Sequence, residues 1–192
     1  MKAIVCEAYG SPDVLQIKEV ETPIPDNHQV RIKIHATTAT SGDCRMRSFT
    51  VPPMFWIPGR LALGITKPRL SILGTEIAGE IDAIGKDVTH FKVGDPVVAF
   101  VGHTTGDSFG ANAEYRCMAE DGMIVPKPTN ITYEEAAAIP FGGGTALNFL
   151  KAGKLKPGQK ILINGASGAV GVYAVQLARY FGAEVTGVCS TK

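Results

Sequence analysis

A chain of 192 residues, 45% hydrophobic and 19% charged, is long enough for one ordinary domain and part of another, and its composition excludes disorder. Nineteen Lys and Arg against eighteen Asp and Glu leave a formal charge of +1, no electrostatic basis for nucleic acid or an anionic membrane as partner. The four cysteines stand singly without a C-x-x-C pair, and "MKAIVCEAYG" enters a strand pattern with no signal peptide, so a reducing cytoplasm is the expected setting.

The first segments alternate as half-buried strands do: "KAIVCEA", "VLQIKEV" and "QVRIKIHATTA", the last with Val30, Ile32 and Ile34 on one face and Arg31, Lys33 and His35 on the other. Turn signals at "YGSPD" and "TPIPDN" separate them. Further strands are expected at "EIAGEIDAIG", "PVVAFV" and "ANAEYRCM", with Gly79, Gly85 and Gly94 marking bulges or turns. Between these groups lies "RSFTVPPMFWIPGRLALGITKPRLSIL", where Pro52, Pro53, Pro58 and Pro68 predict a long, partly apolar loop with no more than a short helix. In it Phe55 and Trp56 either line a pocket or plug the interior.

After "VPKPTN" the period changes. Thr132 followed by Glu135 in "ITYEEAAAI" is a capping box, and from there the pattern is α, α, β, α, β. The shift predicts a division into 1–125 and 126–192. Lys151, Lys154, Lys156 and Lys160 lie in a solvated turn before the next strand.

In "ILINGASGAVG" a strand at Ile161 to Ile163 enters a bend with Gly165, Gly168 and Gly171, and the following helix carries Val170, Ala174, Leu177, Ala178 and Phe181 on one face. Such a bend lets backbone approach a pyrophosphate while the helix N-terminus offers unpaired amides and the positive dipole end. A second strand, "AEVTGV", completes a βαβ unit within the length such a unit needs. Residues Gly165, Ala166, Ser167, Gly168, Ala169, Val170 and Gly171 are therefore expected to hold a dinucleotide. At the end of that strand an acid would select NAD; here "GVCSTK" supplies Ser190 and Lys192, which favours the 2′-phosphate of NADP.

"GSPDVLQIKEVETPIPDNHQVRIKIHA", "LGTEIAGEIDAIGKDVTHFKVGDPVVAF", "GANAEYRCM", "ITYEEAAAIP" and "GQKILINGASGAVGVYAVQLARYFGAEVTGVCSTK" together resemble the medium-chain dehydrogenase/reductase superfamily, particularly its zinc-free quinone oxidoreductase-like branch. The resemblance implies a mixed β and α/β chain: a GroES-like β-barrel catalytic domain followed by the first βαβ unit of a truncated Rossmann domain. The places where zinc-dependent relatives carry metal ligands fall on Thr40, Thr75 and Phe141, a set unsuited to Zn²⁺, and His28, His35, His90 and His103 show no ligand spacing.

The resemblance also implies Thr40 and Asp43 as catalytic-site residues, Asp43 as a buried organiser or else as a helix cap. It places Thr145, in "GGGTAL", near the nicotinamide or its phosphates, unless it begins a helix. The proton donor stays unassigned. The expected activity is zinc-independent, NADP-dependent reduction of a quinone or activated carbonyl (enal) by hydride transfer; a non-catalytic nucleotide-binding or interaction protein is the alternative. Relatives of this kind are longer, so the expectation is a fragment with little turnover of its own, whose bare strand edge favours homo-oligomers.

Overall fold

The computed structural model describes residues 1–101 and 110–190, so His103 and Lys192 lie outside the described residues. The chain forms two compact units, Met1–Ala137 and Ala138–Lys192.

In the first unit, β1 (Lys2–Cys6) and β2 (Leu15–Glu19) pair antiparallel around a 3₁₀ turn at Pro12–Val14. A second sheet has the order β6-β3-β4-β5-β7, from β3 (Gln29–Thr37), β4 (Glu76–Ile84), β5 (Pro96–Phe100), β6 (Tyr115–Ala119) and β7 (Ile124–Pro126). Single bridges from Ala3 to Ala113 and from Val5 to Ile72 attach the hairpin. Among the described residues the ladders make an open sheet, with β6 and β7 at its edges, and no closed barrel.

Alternation along β3 works as its residue types dictate. Val30 and Ile32 are fully buried and pack with Ile77, Ile81, Val97 and Met118. Arg31, on the opposite face, makes two hydrogen bonds to Asp82, at 2.8 and 2.9 Å. Gly79 faces Ile34 beside a register shift, where a Cβ would lie 2.1 Å from the Lys33 carbonyl oxygen, so only glycine allows the two strands this approach.

The opposite side of the sheet is covered by α3 (Tyr133–Ala137), whose Ala136 and Ala137 pack on Ala78 and Val98. Its start carries the expected capping box: the Glu135 amide donates to Thr132 Oγ1 at 3.2 Å and the Thr132 amide to Glu135 Oε2 at 2.9 Å. These contacts place α3 in the first unit.

The proline-rich insertion holds more structure than a loop. It contains α1 (Ser41–Ser48), a 3₁₀ turn at Pro53–Phe55 and α2 (Trp56–Leu63). Pro58 is tolerated as the third residue of α2 because first-turn amides have no intrahelical acceptor. Phe55 and Trp56 do not plug an interior; they are 55 and 49% exposed. Of the two roles the sequence left open the plug fails, because α2 and the 3₁₀ turn before it sit outside the sheet that supplies the core.

The second unit comprises α4 (Ile139–Ala152), β8 (Lys160–Asn164), α5 (Ala169–Tyr180) and β9 (Glu184–Val188). β8 and β9 pair in parallel across α5, the βαβ unit expected from the sequence. Leu150, Ile163 and Ala178 form its core, joined by Ala174, Leu177 and Phe181 from the predicted apolar face of α5.

Candidate active site

Thr40 and Asp43 meet at the start of α1. The Thr40 amide and Thr40 Oγ1 both donate to Asp43 Oδ2 at 2.8 Å, and the Asp43 amide donates back to Thr40 Oγ1 at 3.3 Å. This is a capping box with aspartate in the third helical position. The other carboxylate oxygen, Oδ1, accepts the Gly74 amide at 2.9 Å. Asp43 therefore both caps α1 and ties it to the strand entrance that carries Thr75. Gly74 has φ +92° and no room for a side chain, since a Cβ would lie 2.5 Å from Asn112 Oδ1.

Next to Thr75 stands Glu76, 3% exposed and the one buried charged residue among the described residues. Thr38 Oγ1 donates to its Oε2, and Thr37 Oγ1 to its backbone oxygen at 2.8 Å. The sequence reading passed over Glu76. No local pattern sets it apart, because β4 also carries Glu80 and Asp82; what distinguishes Glu76 is its burial, which costs several kcal/mol for a charge without partners. Thr40, Asp43, Gly74, Thr75 and Glu76 thus share one corner of the first unit, linked through hydrogen bonds and chain continuity.

The second unit carries the glycine bend. Gly165 has φ +77°, and its amide and that of Ala166 donate to the Val188 carbonyl at 2.8 and 3.0 Å, which fastens the bend to the end of β9. The Gly168 amide donates to the Gly165 carbonyl at 2.9 Å, and Gly168 caps α5 without any side-chain hydrogen bond. The amides of Ala169, Val170 and Gly171 then begin the helix, where no carbonyl of the helix itself can reach them. At Gly171 a Cβ would lie 2.1 Å from the Gly165 carbonyl oxygen and under 3 Å from Ala166 backbone. The glycine is what seats α5 against the bend.

An open groove of about 480 Å³ adjoins the bend, lined by Ala166, Ser167, Val172, Gln176, Arg179 and Cys189 among others. Ser190 is exposed just after β9. Thr145 stands mid-way along α4, so it does not begin a helix. It lies three residues after Gly142, where a Cβ would meet the Ala169 carbonyl oxygen at 2.7 Å and the Tyr173 ring at 2.8 Å. Gly142 thus brings α4 and α5 into close contact, and Thr145 shares that side of α4.

The model of the alcohol dehydrogenase GroES-like domain matches residues 26–129, more than half of the chain. The chain belongs to that family. It is also a member of the medium-chain dehydrogenase/reductase superfamily that its motifs indicated. The GroES-like unit and its βαβ companion are 35% identical over 191 residues to a quinone oxidoreductase of Pseudomonas aeruginosa, covering 99% of this chain and 53% of that protein. The structure of the quinone oxidoreductase from Coxiella burnetii superposes with a TM-score of 0.84 at 31% identity, covering 100% of this chain and 57% of that one. The Escherichia coli quinone oxidoreductase complexed with NADPH gives 0.78 at 28% identity, with 97% and 52% covered. The chain spans about half the length of the curated relatives it matches.

Proposed function

We propose that the GroES-like unit and the βαβ unit belong to a zinc-independent, NADP-dependent oxidoreductase that delivers hydride to a quinone or an activated carbonyl compound such as an enal. The observation that carries this reading is the start of α5: three amides without side-chain caps, on a bend whose Gly171 leaves no space for a methyl group. That cradle fits a pyrophosphate, which gains from both the amides and the positive end of the helix. Relatives named as quinone oxidoreductases, one of them in complex with NADPH, support the same assignment.

Bound NADPH supplies the hydride. The protein's part is to hold the dinucleotide and shape the acceptor site. Gly165, Ala166, Ser167, Gly168, Ala169, Val170 and Gly171 would carry the pyrophosphate, Thr145 the nicotinamide side, and Ser190 with Lys192 the 2′-phosphate. Zinc independence rests on donor chemistry. The Thr40 hydroxyl already serves Asp43 as donor and acceptor, and threonine hydroxyls with the Phe141 ring make no soft or imidazole ligand set. Asp43, whose two oxygens accept three hydrogen bonds, acts as a positioning residue that fixes Thr40 and Gly74.

The test is to follow nicotinamide absorbance while the polypeptide encoded by the whole gene is given NADPH and a panel of quinones and enals, with and without chelator. Oxidation of NADPH that survives chelation supports the reading. Binding of NADPH with no oxidation by any acceptor would move the assignment to a non-catalytic nucleotide-binding protein.

A further inference from the structure

The stretch between Asp43 and Glu76 carries one sign of charge and one kind of surface. It contains Arg45, Arg47, Arg60, Lys67 and Arg69 and no Asp or Glu. Met54, Ile57, Leu61 and Ile65, spaced at three- and four-residue steps, are 79, 67, 58 and 65% exposed, and Phe55 beside them is 55% exposed. Single exposed hydrophobes are ordinary, but Ile57 and Leu61 one turn apart on α2, with Met54 and Phe55 just before the helix and Ile65 just after it, concentrate five in one short apolar row, and such a concentration marks an interaction surface.

The row is built on a fixed platform. Arg60 turns inward, its guanidinium carbon 4.0 Å from the ring centroid of Phe49, 4.4 Å from that of Tyr9 and 5.3 Å from that of Trp56. Arg60 Nη1 donates to the Ile65 carbonyl at 2.7 Å, and Tyr9 Oη donates to the carbonyls of Leu63 and Gly64 at 3.1 and 3.0 Å. These contacts hold α2 while Arg45, Lys67 and Arg69 stay exposed around it. Glu7, an acid within electrostatic reach of Lys67, is held at 2.6 Å by Lys18.

A surface that suits this patch is apolar inside and anionic at its rim. A second copy would set the same cations face to face, where like charges repel. A bilayer containing anionic lipid answers both features, because acyl chains accept the apolar row and headgroups pair with the cations. No described helix is long and apolar enough to cross a membrane. We propose that residues 45–69 dock this protein peripherally on an anionic lipid surface, with Phe55, Ile57 and Leu61 entering the interface. The overall charge of +1 concealed this, because the acids that balance the five cations lie elsewhere in the chain.

The test is flotation of the polypeptide encoded by the whole gene with phosphatidylcholine vesicles, with and without phosphatidylglycerol. Binding is expected to the anionic vesicles and to fall on adding salt. Lys67→Gln with Arg69→Gln should lower partitioning about 25-fold, about fivefold for each cation at a lipid surface. Ile57→Ser with Leu61→Ser should also release the protein; both sites are exposed, and circular dichroism checks that the fold is kept. Brominated lipid should quench a fluorescence component that Trp56→Phe removes. Equal binding to both vesicle types, no binding to either, or a Trp56 already shielded in a dimer that Ile57→Ser dissolves would overturn the proposal, the last in favour of a protein partner.

Discussion

Replacing Gly171 by alanine adds a single methyl group at the point where α5 meets the glycine bend. An ideally placed Cβ would lie 2.1 Å from the Gly165 carbonyl oxygen and 2.8 and 2.9 Å from Ala166 Cα and carbonyl carbon. The shortest of these is more than 1 Å inside the ~3.3 Å at which carbon and carbonyl oxygen normally meet. Every atom met is backbone, so no side chain can swing away, and the helix must lift from the bend. Overpacking of this kind costs about 1–3 kcal/mol. The same lift moves the amides of Ala169 and Val170 from their aim, so NADPH affinity should fall at least about tenfold, the equivalent of ~1.4 kcal/mol. Urea unfolding followed by circular dichroism reads the first effect, and calorimetric titration with NADPH the second. Gly144→Ala is the control: it lies in α4 with nothing within 4 Å of an added Cβ, and alanine there should stabilise by about 1 kcal/mol. If Gly171→Ala matches the parent protein in both assays, the close seating of α5 on the bend is not what organises the site.

Asp43→Ala removes the carboxylate half of the α1 capping box and strands the Thr40 and Gly74 amides, and should destabilise by about 2–4 kcal/mol in urea unfolding, with Asp43→Asn keeping part of that. The Cys117 thiol is pushed up to about 11, mainly by burial, and Cys6 is raised for the same reason. Near neutral pH, mass spectrometry after brief iodoacetamide treatment should therefore find the exposed Cys44 and Cys189 alkylated and Cys6 and Cys117 intact. The amides of His90 and Thr89 hold the Glu120 carboxyl below its ordinary value. Its contribution to stability is thus present above the unfolded carboxyl range near ~4.3 and is lost as pH falls through the lower folded value, so Glu120→Gln should flatten that acid limb in unfolding measured against pH.

Much of this architecture is legible because local chemistry and tertiary demand coincide. Val30 and Ile32 alternate with Arg31 because one face of β3 meets a core and the other meets Asp82. Thr132 and Glu135 announce α3 through groups only three residues apart. Gly165 and Gly171 mark the bend because a turn and a close approach both forbid a side chain there.

What escaped depends on neighbours that no local pattern encodes. Phe55 and Trp56 have core composition, yet α2 lies outside the sheet. A helix start was the alternative for Thr145, whereas Thr145 lies inside a continuous α4 in which Gly142 serves to let that helix touch α5. Glu76 is buried by the fold around it and has partners, Thr37 and Thr38, that lie a long way back in the chain.

The most direct test of the central claim is an NMR titration of the amide-labelled protein with NADPH, watching the backbone signals of Gly168 to Gly171. Binding of the pyrophosphate at the start of α5 requires those amides to shift in step with saturation, and to shift less with NADPH in the Gly171→Ala variant. Saturable binding that leaves them unmoved, or no binding at all, would contradict the account.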